Sequence, residues 1–253
     1  MQTDERRAGV QESAMASAVA SAVASAVASA VASAVASAVA SAVASVVETA
    51  DWLKREGIIP IVRGDFAAQR VLEIGDALLA APILCMEVTM NTPGATELIA
   101  LLRTRYGDHM RIGAGTVRTV AQFNAAVDAG AQFTLSPGLN MAVVERSQAR
   151  GVLHIPGVFT ASEADTAWQA GCPILKLFPA DQGGPAYLRA LRAPLDDIAF
   201  APTGGVSMEN AAAWRAAGAV ALGVGSTLIT GPGQSMADLI TRARGLKKAW
   251  EGK

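Results

Sequence analysis

The sequence predicts a (β/α)8 barrel, and three observations carry that prediction. Eight short apolar runs alternate with longer amphipathic segments across the region from Val47 onward. The runs are apolar throughout, as strands covered on both faces are. Three of the amphipathic segments end alike, in Asp-Ala-Gly-Ala (128–131), Gln-Ala-Gly-Cys (169–172) and Ala-Ala-Gly-Ala (216–219), and each leads into an apolar run. Glycine suits the left-handed residue that closes a helix. Eight such strand–helix units describe the barrel. A doubly wound open sheet is the alternative, weakened because no GxGxxG follows the first strand.

The strands are expected at IIPIVR (58–63), LCMEVTM (84–90), RIGAGTV (111–117), QFTLSPG (132–138), LHIPGVF (153–159), ILKLFPA (174–180), IAFAPTGG (198–205) and AVALGVGS (219–226). Between them lie helical segments such as AAQRVLEIGDALLA, AQFNAAVDAG, ASEADTAWQAG and MENAAAWRAAG. Thr119, Thr160 and Ser207 stand where a side-chain oxygen caps a helix start.

Residues 1–46 form a separate unit from the barrel domain of 47–253. Residues 16–45 repeat Ala-Ser-Ala-Val, and no charge occurs from Ala14 to Val47. Alanine favours a helix, and a disordered tail is the other reading. Valine at every fourth position drifts about 40° per repeat around a helix of 3.6 residues per turn. The valines therefore spiral and form no straight stripe. The run is long enough to span a membrane, but Ala and Ser give little drive for insertion and no aromatic belt flanks them. The extension is expected to take no part in chemistry.

The formal net charge of −1 argues against a nucleic-acid footprint. Cys85 and Cys172 sit in apolar runs without metal-type spacing, and are expected reduced and buried, as in a cytoplasmic protein. With two histidines, His109 and His154, and no HxH, HExxH or CxxC, a transition-metal site is not expected. No cofactor, nucleic-acid or membrane partner is expected.

The chain has five lysines, and four lie near the ends of its globular body. The fifth, Lys176, stands inside the apolar run ILKLFPA. Side chains alternate along a strand, so Leu175 and Leu177 suit the helix-facing side and Lys176 points into the barrel. By the same alternation Cys85, Glu87 and Thr89 point inward. A buried ion pair is one reading of Lys176 with Glu87, although apolar replacements of such pairs are often as stable. The other reading is catalytic. Burial disfavours the ammonium form, and a neutral amine attacks a ketone to form a Schiff base. Glu87 is then the carboxyl group that moves protons. The glycines in Pro202-Thr203-Gly204-Gly205 and Gly223-Val224-Gly225-Ser226 end the last two strands, where barrels commonly bind phosphate.

Glu87-Val88-Thr89, Gly113-Ala114-Gly115-Thr116, Ser136-Pro137-Gly138, Ile155-Pro156-Gly157, Lys176-Leu177-Phe178-Pro179-Ala180 and Pro202-Thr203-Gly204-Gly205 occur in that order. This set resembles the class I 2-keto-3-deoxy-6-phosphogluconate (KDPG) aldolase family, from about Val47 to Trp250. The resemblance implies a metal-free Schiff-base aldolase and homotrimer. Such an enzyme cleaves a phosphorylated keto-deoxy sugar acid to pyruvate and glyceraldehyde 3-phosphate. It makes Lys176 the Schiff-base lysine and Glu87 the general acid/base. It makes Thr116, Pro137 and Phe178 walls of the pyruvate pocket, and Gly204, Gly205, Gly225 and Ser226 the phosphate cradle. Thr203 meets the sugar hydroxyl. One departure stands at Asn91, where the gluconate-type enzymes carry a carboxylate-binding arginine. There, and at Arg63-Gly64, the chain is similar to the 6-phosphogalactonate (KDPGal) aldolases, while Thr203 is gluconate-like. Arg63 is expected to take over the carboxylate. The gluconate epimer is favoured, and the galactonate epimer or both epimers are the alternative. A non-catalytic phosphate-binding barrel is a further reading.

Overall fold

The computed structural model describes residues 2–252, with side chains from Ser21 onward. The strands form a curled parallel sheet in two hydrogen-bonded pieces, with helices packed outside it. Among the described residues the strands are β1 (Ile58–Val62), β2 (Cys85–Thr89), β3 (Arg111–Gly115), β4 (Phe133–Leu135), β5 (Leu153–Ile155), β6 (Gly157–Val158), β7 (Leu175–Leu177), β8 (Phe200–Pro202) and β9 (Leu222–Val224). The first piece runs β5-β4-β3-β2-β1-β9, which sets the last strand beside the first; the second runs β6-β7-β8. A parallel bridge from Thr203 to Gly223 links the β8 end of one piece to the β9 end of the other.

The helices are α1 (Gln2–Glu56), α2 (Ala68–Ala80), α3 (Ala95–Tyr106), α4 (Val120–Asp128), α5 (Met141–Arg150), α6 (Ala161–Gln169), α7 (Gly184–Arg192), α8 (Ala211–Ala216) and α9 (Met236–Glu251). Thr119 caps α4 by accepting from the Gln122 N–H, and Thr160 forms a reciprocal capping box with Glu163 on α6. Gly130, Gly171 and Gly218 all have positive φ, of 101°, 84° and 94°. A side chain there would strain the left-handed turn that returns the chain to the sheet.

Two expectations need correction. The run LHIPGVF is not one strand, because Pro156 divides it into β5 and β6. Proline has no N–H to donate, but its carbonyl accepts the Lys176 N–H at 2.9 Å. Leu153–Ile155 thus pair with β4 and Gly157–Val158 with β7. Ser207 is not a helix cap either. α8 begins four residues later, after Asn210, whose side chain instead accepts from the Ser207 N–H.

Alternation along the strands sorts the apolar residues into two layers. Val62, Met86, Val88, Leu175, Leu177 and Leu222 face the helices. Ile59, Cys85, Phe133, Leu153, Ile174 and Ala201 form an inner cluster. Both cysteines are free and buried.

The boundary expected at 46/47 falls inside α1, which is unbroken from Gln2 to Glu56. Its last turns belong to the globular body. Ala50 and Leu53 are buried in the inner cluster, beside residues at the beginnings of the strands. Arg111 holds this end by donating to Thr49 at 2.9 Å and lying 5.0 Å over the Trp52 ring. Glu56 forms a 2.8 Å ion pair with Lys247 of α9. The repeat is different. Val23, Val27, Val31, Val35, Val39, Val43 and Val47 are 47–57% exposed, as valines spiralling around a projecting helix are. By length and composition alone, Ser21–Glu56 is long and apolar enough to cross a membrane.

This division sets an expected contrast in urea unfolding. Leu53→Ala removes a fully buried side chain and should cost about 2–5 kcal/mol. A chain beginning at Val46 should unfold within about 1 kcal/mol of the full-length protein, since Ala38, Val39, Ala42 and Val43 meet the body at a partly open cavity beside Gln148 and Gly171 and largely exposed positions contribute little.

Candidate active site

The site grows from side-chain alternation at the ends of β2 and β7. Leu175 and Leu177 pack against helices, which turns the intervening Lys176 inward beside the inner cluster. Met86 and Val88 do the same for Glu87. Lys176 is 2% exposed and Glu87 0%. No N–O contact of 4.0 Å or less joins them, and both buried carboxylate oxygens of Glu87 lack a hydrogen-bond partner among the described residues. The buried ion pair expected as one reading is therefore not formed. The two groups still act on each other at longer range.

Burial is the largest influence on both. It raises the Glu87 pKa above the ordinary carboxylate value, partly offset by the positive charges of Lys176 and Arg63. It lowers the Lys176 pKa below the ordinary ammonium value; Glu87 opposes that shift and Arg63 adds to it. A carboxyl group made more basic thus shares an interior with an amine made less basic. Perturbed pKa values of this kind cluster at acid/base and nucleophilic sites.

Room for the carboxylate comes from Gly115, at the end of β3 and paired with Thr89. A Cβ at Gly115 would lie 2.4 Å from Glu87 Oε1. The next residue, Thr116, has φ of 57°. A β-branched residue in that region costs on the order of 1–3 kcal/mol and persists where surroundings impose it, commonly at functional sites.

An open cleft of about 670 Å³ lies at the C-terminal ends of β1, β8 and β9. It gathers Arg63, Phe178, Thr203, Gly204, Gly205, Gly225 and Ser226, all expected from the sequence. Gly204 and Gly205 have φ of 102° and 64°, in the turn that follows β8. The Thr203 hydroxyl is buried without a partner, and a Cβ at Gly223 would come within 2.1 Å of its oxygen. Phe178 joins cleft and interior, since Lys176 Nζ lies 5.1 Å from its ring centroid. Lys176, Glu87, Thr116 and Pro137 are not in the cleft lining, and neither is Asn91, which is exposed.

Gly223, from the glycine loop read after the last strand, lines the cleft too. Ile61, Val206, Thr227 and Ile229 also line it and were not expected. Ile229 carried no signal, because its place depends on how the chain folds back after Ser226. Among the described residues, no group of three or more His, Cys, Asp or Glu is placed to hold a metal.

A curled parallel α/β sheet with a desolvated lysine and carboxyl group near its strand ends is the framework of an aldolase, a carbon–carbon lyase. The chain belongs to the KDPG and KHG aldolase family, whose model matches residues 49–240. It is 36% identical over 200 residues to the 2-dehydro-3-deoxy-6-phosphogalactonate aldolase of Escherichia coli (strain K12), covering 79% of this chain and 97% of that one. It is 40% identical over 186 residues to the 2-dehydro-3-deoxy-phosphogluconate aldolase of Treponema pallidum (strain Nichols), covering 73% and 87%. The structure also matches KDPG aldolase from Legionella pneumophila with pyruvate captured as a covalent carbinolamine intermediate. The TM-score is 0.65 at 29% identity, over 77% of this chain and 93% of that one.

Gly115→Ala tests whether the space around Glu87 matters. The added methyl should displace the carboxylate and lower kcat about 100-fold, as misplacement of a reacting group by about 1 Å can. The stability loss should stay within the roughly 1–3 kcal/mol of core overpacking. Steady-state kinetics and urea unfolding on one sample check both.

Proposed function

We propose that this chain cleaves 2-dehydro-3-deoxy-6-phosphogluconate to pyruvate and glyceraldehyde 3-phosphate through a Schiff base on Lys176. The observation that carries the reading is the buried Lys176 amine sharing an interior with a Glu87 carboxylate that has no partner. The neutral amine attacks the keto carbon, and loss of water leaves a protonated imine. Glu87 takes the proton from the C4 hydroxyl as the C3–C4 bond breaks. The bonding electrons move into the imine, giving an enamine and the aldehyde phosphate. A proton returned to C3 and addition of water then release pyruvate and restore Lys176.

In this reading Thr116, Pro137 and Phe178 enclose the keto acid, and Arg63 binds its carboxylate, for which an arginine fork is suited. Gly204, Gly205, Gly225 and Ser226 receive the phosphate through backbone N–H groups. The unpartnered Thr203 hydroxyl binds a sugar hydroxyl. The two sheet pieces are halves of one (β/α)8 barrel, a reading supported by the Thr203–Gly223 bridge and the pairing of β9 with β1. The barrel domain of 47–253 carries the activity, and the extension of 1–46 takes no part in it. The enzyme works as a homotrimer, as the family resemblance implies, and in the cytoplasm, a reading supported by its two free, buried cysteines. Neither a nucleic acid nor a membrane enters the chemistry.

Incubation with pyruvate followed by borohydride should place a reduced pyruvate adduct on Lys176, read by peptide mapping. The sample should sediment as three 25.9 kDa chains. Because the amine is the reactive form and its pKa is lowered, the trapping rate should rise with pH and level off below 10.5, the ordinary lysine value. An adduct confined to Lys247 or Lys248 would leave the phosphate-binding barrel as the better reading.

Thr203 and Arg63 should separate by kinetics on the gluconate and galactonate epimers. The parent should favour the gluconate epimer, because a hydroxyl placed for one epimer is left unpaired by the other. Thr203→Val should shrink that preference at least about tenfold. Arg63→Ala should raise KM for both epimers by a similar factor. Equal efficiencies in parent and Thr203→Val would remove Thr203 from the discrimination.

A further inference from the structure

A buried polar chain lies behind the site, on the helix-facing side of the sheet, and the proposed reaction does not use it. Thr134 of β4 and His154 of β5 are register partners. Thr134 Oγ1 lies 2.9 Å from His154 Nδ1, and Ser136 Oγ lies 3.2 Å from His154 Nε2. Ser136 also donates to the Gly138 carbonyl at 2.7 Å and accepts from the Gly157 N–H at 3.4 Å. Thr134, Ser136 and His154 are all buried, and the Phe123 ring meets the imidazole edge-on.

Donor counting fixes the direction of the chain. Burial drives the His154 pKa down to about 4, so the imidazole is neutral and has one donor and one acceptor nitrogen. The Ser136 proton is committed to Gly138, so Ser136 must accept from Nε2–H. Nδ1 is then the acceptor for the Thr134 hydroxyl, whose other partner, the Leu153 carbonyl, is further away at 3.4 Å. The bonds run from Thr134 through His154 and Ser136 to the Gly138 carbonyl.

This chain meets the site at two places. Ser136 and Gly138 flank Pro137, the proposed wall of the pyruvate pocket. Gly157 is the register partner of Lys176, and Pro156 accepts the Lys176 N–H at 2.9 Å. The two turns also touch, since a Cβ at Gly157 would lie 2.3 Å from both the carbonyl carbon and oxygen of Pro137.

We propose that His154 is a positioning residue. Its Nε2–H bond to Ser136 fixes the Ser136–Gly138 turn against Gly157 and so sets Pro137 relative to Lys176. The inference rests on the Schiff-base reading. His154 touches neither substrate nor lysine, and acts on the keto-acid end of the site rather than the phosphate end.

The test uses the full-length protein and two readouts. One is the pyruvate concentration giving half-maximal borohydride trapping of Lys176. The other is the inhibition constant of inorganic phosphate against aldol cleavage. Ser136→Ala and His154→Phe should each raise the pyruvate value about tenfold, the effect of one lost buried hydrogen bond, and leave the phosphate constant within about twofold. His154→Gln, which keeps an N–H near Nε2, should recover most of the loss. Should the His154 variants not fold, Ser136→Ala decides alone. An unchanged pyruvate value would overturn the proposal, as would equal weakening toward pyruvate and phosphate, which is general loosening. A parent protein that forms no adduct on Lys176 instead defeats the Schiff-base reading.

Discussion

The constraint on which the molecule turns is the removal of Lys176 and Glu87 from water without letting them form a close ion pair. Even after relaxation, desolvation costs several kcal/mol per ion, and the buried Glu87 oxygens receive no hydrogen bond from the described residues in return. Such an arrangement persists only in a body with ample apolar burial elsewhere. The two layers supply it, one between sheet and helices and one within the curled sheet. The same burial that costs stability also makes the amine a better nucleophile and the carboxylate a better base. Stability given up at the site and reactivity gained there have one cause.

The neighbours of the pair follow from this constraint. Gly115 withholds a side chain so that the Glu87 carboxylate has space, and Thr116 takes up the backbone strain immediately after it. Arg63 is exposed at the end of β1, yet its charge reaches both buried groups and acts on them in the same direction, lowering both pKa values. The glycine turns after β8 and β9 line an open cleft. In the proposed reaction the substrate phosphate would sit there, away from the reacting carbons, and remote binding energy of this kind can be spent on orientation at the reacting centre. Phe178 is the physical link, lining the cleft while its ring lies near the lysine.

The N-terminal helix shows how one continuous element can have two characters. Its last turns cover the inner cluster where the strands begin, at the end of the sheet opposite the cleft. The valines of its repeat from Val23 to Val43 are more than half exposed, although the last turns of the repeat lie along the body, where Ala38, Val39, Ala42 and Val43 line a cavity with Gln148, Ala149, Gly171 and Pro173. A four-residue repeat on a 3.6-residue helix cannot keep its apolar side chains on one face, so that contact does not extend as a straight stripe along the helix. Among the described residues, none of α1 lines the cleft.

Much of the fold was legible in the sequence because its signals are local. Continuous apolar runs, the three glycine-terminated helices, the caps Thr119 and Thr160, and the inward direction of Lys176 and Glu87 all follow from periodicity and backbone stereochemistry. Those constraints act within a few residues, so the sequence by itself determined which side chains would lie inside and at which strand ends. Tertiary structure decided the rest. The break at Pro156 depends on the strands to either side competing for one run. The fit of Gly115 to Glu87, of Gly223 to Thr203 and of His154 to Ser136 joins residues far apart in the chain. The separation of Lys176 from Glu87 is likewise set by how the sheet curls. Close contacts across strands depend on register and curvature, which arise only when all the strands assemble.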